Sequence, residues 1–243
     1  MKLLLVNPNT STAITDRLVA EARRVAAPET TVTGLTARIG FPYIETGAEA
    51  MVAAAAALEV IAEGLGDHDA VVLAAFGDPG LFELKSLLPV PVVGLAEGAM
   101  MTASATGYRF GIVSISSRMR AWYQKAVDDF GFRERCVGFR FLDAPFERIE
   151  DVRDRYATRI FELADELVAD GAESVVFAGA PLAGIAAAPG ADLRVPAIDG
   201  TWAAVSQTEA LAGMVRAGAL RGLAGRGHGK PSVGLSAATA RLF

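Results

Sequence analysis

The feature that most constrains this chain is that its second half repeats its first. Three segments recur in the same order and in one register, about 105 residues apart. The run from Lys2 to Val6, followed by Asn7-Pro8-Asn9-Thr10, lies over Arg109 to Val113, followed by Ser114-Ile115-Ser116-Ser117. In each, an apolar strand runs into polar residues ahead of a helix. Val71 to Gly80 lies over Val175 to Gly184, a buried strand entering a Gly/Pro turn, and Val90 to Gly94 lies over Val195 to Asp199. A general likeness among buried strands explains any one match, but three in one register argue for two similar units.

Short β-branched runs alternate with longer helical stretches throughout. Strands are expected at Lys2 to Val6, Thr31 to Leu35, Ala70 to Ala75, Val92 to Leu95, Arg109 to Ile115, Val137 to Leu142, Ser174 to Ala178 and Ala197 to Ile198. Helices are expected at Ser11 to Val25, Glu49 to Glu63, Gly98 to Thr106, Met119 to Phe130, Val152 to Ala169 and Thr201 to Ala217. This alternation predicts an α/β chain of two pseudo-symmetric Rossmann-like lobes, each a parallel sheet flanked by helices. By symmetry, the helix after Val90 to Leu95 opens the second lobe and the helix after Val195 to Asp199 returns to the first. The lobes are therefore expected at residues 1–97 plus 200–225, and at 98–199, with 226–243 a C-terminal tail or arm. Ligands of open parallel sheets bind at the carboxyl ends of the strands, which places a site in the cleft between the lobes.

Composition narrows the function classes. A chain that is 52% hydrophobic and 21% charged is not a disordered or fibrous one. With 23 Lys and Arg against 28 Asp and Glu, a net charge of −5 and no basic run, it offers nothing to nucleic acid or to a membrane surface. Cys136 alone forms no internal disulfide, and the two histidines, His68 and His228, build no metal cluster. Leu3 to Val6 is too short for a signal-peptide core of about 7 residues, and the longest apolar run, Ala50 to Leu58, falls short of the roughly 18 of a membrane span. A cytoplasmic protein is expected. Gly225 to Lys230 fails as a P-loop, because Ala224 and Pro231 stand where Gly and Ser or Thr are needed. No Gly-x-Gly-x-x-Gly follows a strand, so no cofactor is indicated.

The turns carry the chemistry. Asn7-Pro8-Asn9-Thr10 sets two amides and a hydroxyl just before a helix, where free backbone N–H groups favour a small carboxylate or imide ring; an ordinary capped turn is the alternative. Phe76-Gly77-Asp78-Pro79-Gly80 forces a sharp turn that a ligand can approach closely, with Asp78 an acid, a base or a helix cap. Gly179-Ala180-Pro181 repeats that arrangement without charge, and Ser114, Ser116 and Ser117 offer hydroxyls or caps.

Taken with Pro42-Tyr43-Ile44-Glu45 and Val90-Pro-Val-Val-Gly-Leu-Ala-Glu97, these turns resemble the aspartate/glutamate/hydantoin racemase family, nearest its hydantoin and allantoin racemases. The resemblance covers nearly the whole chain. It implies a cofactor-independent isomerase, a homo-oligomer, handling a small carboxylate or hydantoin-type ring between its lobes. In that family one Cys per lobe passes the proton at a carbon beside a carbonyl. Their places here are held by Ala75 and Gly179, and Cys136 lies away from both turns. The acid/base candidates are then Tyr43 and Glu45, in a loop that the family places over the cleft, and Asp78. The candidate substrate-binding residues are Asn7, Asn9, Thr10, Ala75, Phe76, Gly77, Ser114, Ser117, Gly179, Ala180 and Pro181. Lyase, decarboxylase or hydrolase chemistry, or ligand binding without turnover, are the alternatives. His68 is expected at the opposite sheet edge, and His228 enters only if the tail folds over a cleft.

Overall fold

The computed structural model describes residues 1–188, 193–223 and 229–243. Strands β1 (Lys2–Asn7), β2 (Thr31–Thr36), β3 (Ala70–Leu73) and β4 (Val92–Gly94) form one parallel sheet in the order β2-β1-β3-β4. Strands β5 (Phe110–Ser114), β6 (Cys136–Phe141), β7 (Ser174–Phe177) and β8 (Ala197–Asp199) form a second in the order β6-β5-β7-β8. The order and the parallel pairing are the same in both, with Leu4 between Thr33 and Val71 and Ile112 between Phe139 and Val176. The helices that flank them are α1 (Thr12–Val25), α2 (Gly47–Gly64), α3 (Leu81–Leu87), α4 (Leu95–Thr106), α5 (Arg120–Asp129), α6 (Val152–Arg155), α7 (Ala157–Ala169), α8 (Gly200–Arg216) and α9 (Ala237–Ala240).

Side chains alternate across a strand, so the uninterrupted apolar run of β1 supplies two faces. Leu3 and Leu5 join the core that holds Ile14 and Leu18 of α1, whereas Leu4 and Val6 join the one that holds Val60 and Ile61 of α2. All four β1 leucines and valines are fully buried, at about 1.5–3 kcal/mol each. The core on the α1 side runs without a break into β5, β7 and α7, so the two sheets share one interior.

The helices that follow the fourth strand of each sheet lie between the sheets. α4 packs on β7 and β8, and α8 packs on α1 and β3. They cross backbone to backbone: a side chain at Gly98 would meet the Cα of Ala204 at 2.8 Å. Gln207 of α8 ties the crossing by donating to the carbonyl of Gly98 and the hydroxyl of Thr102, both at 2.9 Å.

The helices differ from expectation in four places. The single helix expected over Val152 to Ala169 is two, parted at Tyr156, whose φ of −117° and ψ of 18° leave the helical region. α4 starts at Leu95 rather than Gly98, and α3 and α9 follow turns too short and too rich in Gly and Ser to suggest a helix. α9 returns to α2, where Thr239 bonds Glu59. Among the described residues, no helix is long and apolar enough to cross a membrane.

Candidate active site

The turns leaving β1, β3, β5 and β7 face one another between the sheets, around a cavity of about 30 Å³. Seven of the sequence-derived candidates line it: Asn9, Tyr43, Ala75, Phe76, Gly179, Ala180 and Pro181. Ala75 and Gly179, equivalent in the repeat, thus stand in the wall of a single space. The remaining wall is apolar, from Ile14, Ile44, Ile115, Met119 and Ile149, with Trp122 and Tyr123 of α5.

The first turn is held from within. Asn7 is fully buried, and its Nδ2 donates to Asn9 Oδ1 at 2.8 Å, to the Ser11 carbonyl at 3.1 Å and to Thr15 Oγ1 at 3.0 Å. Its Oδ1 accepts from the Asn9 amide at 3.2 Å. Every polar atom of Asn7 is therefore occupied by the turn, and Asn7 braces the site rather than facing it. Asn9 Oδ1 also accepts from Ser11 N, which leaves Asn9 Nδ2, among the described residues, as a donor without a partner at the cavity wall. Thr10 lies outside the wall and is fixed by its backbone N–H to the Phe41 carbonyl at 2.9 Å.

In the second turn Gly77, at φ +99°, lies against the Trp122 indole; a side chain there would meet it at 2.5 Å. Asp78 adopts φ +48° and turns its carboxylate away from the cavity, to accept from the backbone N–H groups of Ala96 at 3.0 Å and Glu97 at 2.7 Å. It caps α4 from a distance. Burial pushes its carboxyl up to about 7, while those two hydrogen bonds pull the other way. Of the roles open to Asp78 in the sequence, the geometry favours the cap.

The equivalent turn in the other half is braced at three points. Arg17 of α1 donates to the Pro181 carbonyl at 3.0 Å, Arg153 of α6 donates to the Ala183 carbonyl at 2.8 Å, and Asp199 accepts from Gly184 N at 2.5 Å. Asp199 also caps α8 through Thr201 N and Trp202 N, and burial raises its pKa. Gly179 itself has φ +109° and ψ 138°, a conformation that L side chains rarely adopt.

Glu45 is buried beside the cavity rather than in its wall. Its carboxylate accepts from Ser116 Oγ at 2.9 Å and pairs with Arg118 at 3.2 Å, pinning its loop to the other half. Tyr43, from the same loop, does reach the wall, with its ring edge-to-face on Phe146. Ser114 is spent on the Ala178 carbonyl, which it reaches at 3.2 Å, and Ser117 is exposed, its backbone N–H bonded to Asp143. Neither lines the cavity, and both tie strand ends together.

Sequence reading missed Tyr123 and Trp122. Tyr123 stacks edge-to-face on Phe76, and its hydroxyl lies 3.7 Å from where a side chain at Gly179 would begin. Burial pushes its phenol above the usual range. The available signal was a hydroxyl-tipped ring on the buried stripe Met119, Tyr123, Ala126, Val127 of an otherwise polar helix. Cys136 opens β6 at the far end of the sheet, its thiol pushed up to about 11 by burial. His68 precedes β3 and bonds the Leu65 carbonyl, and His228 lies outside the described residues. Among the described residues, no cluster of His, Cys, Asp and Glu is placed to hold a metal ion.

The profile of a family described as Asp/Glu/Hydantoin racemase matches residues 3–208, which takes in both sheets and all four turns. A hydantoin racemase of Paenarthrobacter aurescens is 33% identical over 214 residues, 87% of this chain and 91% of that protein. Among solved structures, an allantoin racemase from Klebsiella pneumoniae superposes with a TM-score of 0.87 at 33% identity, covering 100% of both chains. An allantoin racemase from Pseudomonas fluorescens gives 0.84 at 30% identity over 96% of this chain and 100% of that one. A duplicated parallel fold whose paired turns enclose one small space, matched along most of its length, makes this chain a member of the Asp/Glu/hydantoin racemase family of isomerases.

Proposed function

We propose that this chain is a cofactor-independent racemase-type enzyme acting on a hydantoin- or allantoin-like ring, or a small carboxylate, in the cleft between its two lobes, 1–97 plus 200–225 and 98–199. The observation that carries this is the shared wall of Ala75 and Gly179, with the unpaired Asn9 donor beside them. A carbonyl oxygen held by Asn9 Nδ2 gains a stabilising hydrogen bond as an adjacent C–H loses its proton and the electron pair moves onto oxygen. Among the described cavity-lining residues, only Tyr43 and Tyr123 carry an O–H able to pass that proton. Racemisation then requires the phenolate of one to take the proton on one face and the phenol of the other to return one on the opposite face.

A second reading is favoured by the unequal walls. Around Ala75 the surroundings are apolar, from Ile44, Ala50, Ala53 and Trp122, while the Gly179 side holds the Tyr123 hydroxyl. Burial favours the neutral phenol of Tyr123 over its phenolate, so the group rests with a proton to give rather than a site ready to take one. A decarboxylation needs one such delivery: the bond to the carboxylate breaks, its electron pair passes to the neighbouring carbonyl as CO2 leaves, and Tyr123 protonates the carbon before regaining a proton from water.

Incubation in D2O with hydantoins, allantoin, aspartate, glutamate and a substituted malonate separates the readings. Racemisation gives loss of optical activity and one deuterium at the reacting carbon, whereas a lyase changes the composition. Tyr43→Phe and Tyr123→Phe are each expected to lower the rate at least tenfold. The absence of exchange, of composition change and of any rise in melting temperature across all these compounds would sink the proposal.

A further inference from the structure

The cavity between the turns, at about 30 Å³, has room for about two waters and none for a five-membered ring. A wall must move for the proposed substrate to bind. Most of its side chains, Phe76, Tyr123 and Ile115 among them, are buried in the core and have nowhere to go. Two parts of the wall are not: the loop at Pro42-Tyr43, and Trp122. The loop is fastened by Glu45 to Ser116 and Arg118, by Thr10 N to the Phe41 carbonyl, and by Glu49, which accepts from the amides of Glu45 at 2.7 Å and Thr46 at 3.0 Å. Trp122 is half-buried, and among the described residues its indole N–H makes no hydrogen bond.

Trp122 is also the residue common to two spaces. Its other side borders an open groove of about 770 Å³ between α2, α3 and α5, whose walls include Ala50, Met51, Ala54, Phe82 and Phe130. Met51 is 76% and Phe82 49% exposed, so the groove is apolar surface facing solvent. Gly77 makes room for the indole at this boundary, since a side chain there would meet the ring at 2.5 Å. We infer that the Trp122 indole is a movable partition: it swings toward the groove to admit the substrate's reacting head to the cleft, and the groove then takes an apolar substituent on that head. This rests on the proposed function and adds a substrate class, a small carbonyl compound bearing an aryl or branched alkyl tail, in preference to one with a polar ureido tail.

The chain has two tryptophans, so Trp202→Phe leaves Trp122 as sole reporter. In that background 5-benzylhydantoin is expected to shift Trp122 emission on binding and to bind at least tenfold tighter than allantoin. In stopped flow, followed by ligand displacement of a reporter dye, Trp122→Ala is expected to speed association at least tenfold, with Trp122→Phe between. Should Trp122→Ala not fold, the emission change and the Trp122→Phe rate decide the matter. Binding, seen as a raised melting temperature, with silent Trp122 emission and unchanged association overturns the inference while sparing the proposed function. Faster association in Glu45→Gln but not in the Trp122 variants overturns it in favour of the loop as the door. Emission that shifts on dilution without ligand, together with a change in mass, overturns it in favour of a second copy in the groove. If no ring compound raises the melting temperature, the proposed function fails and takes this inference with it.

Discussion

The turns after β3 and β7 line the same cavity, yet the helix that follows the fourth strand of each sheet is secured from a different place in the chain. In the first half the carboxylate at the start of α4 belongs to Asp78, on the turn itself. In the second half the carboxylate at the start of α8 belongs to Asp199, at the end of the strand, and reaches back to Gly184 N on the turn. The position equivalent to Asp199 is Gly94, and a side chain there would meet Asp78 Cγ at 2.1 Å. What the two halves hold in common is a carboxyl group at one equivalent point, where its oxygens accept from orphan helix N–H groups. Which residue supplies it is free to differ, provided the other position stays empty.

This comparison can be broken outright. Gly94→Asp puts two carboxylates in one buried space and is expected to cost about 4 kcal/mol or more. Adding Asp78→Gly, which transplants the second-half arrangement, should recover at least half of that in urea unfolding. Next in size, Asp199→Ala strips three N–H groups and is expected to cost about 3 kcal/mol, against about 2 for Asp78→Gly, which strips two. Glycine is the fair replacement for Asp78, because its φ of +48° would strain alanine. The turns differ likewise in tolerating a side chain at the cavity. Gly179→Cys is expected to cost about 1–3 kcal/mol at its φ of +109°, whereas Ala75→Cys stays within about 1. Smallest of all, Arg118→Ala should change stability by less than about 0.5 kcal/mol, because Arg118 is 66% exposed where it pairs with Glu45. Equal costs for the two aspartates, measured by the same unfolding curves, would remove the asymmetry.

Most strands were legible because they are short apolar runs bounded by turn residues, and the repeat sorted them into two matching sets. The start of α4 was not, because a reader looks for a cap beside the helix and Asp78 is supplied from the preceding turn. The break at Tyr156 carries neither Gly nor Pro. At the site, local composition does not reveal whether a polar group faces a cavity or its own turn: Asn9 and Tyr43 reach the cavity wall, whereas Asn7 and Ser114 are bonded within the turns and strand ends and Ser117 lies outside the wall. Trp122 and Tyr123 were hidden for the opposite reason: on a helical stripe they look like ordinary core.

The crossing of α4 and α8 has a consequence for how such a molecule can have arisen. The helix that follows the first sheet covers the second, and the helix that follows the second covers the first. A half-length ancestor, built as one strand-and-helix set, would have covered its sheet only in part with its own remaining helices, and trading that last helix with a twin would complete the cover. Gene fusion would then have turned a trade between molecules into one within a single chain. Gly98 against Ala204 marks where the two traded helices still meet.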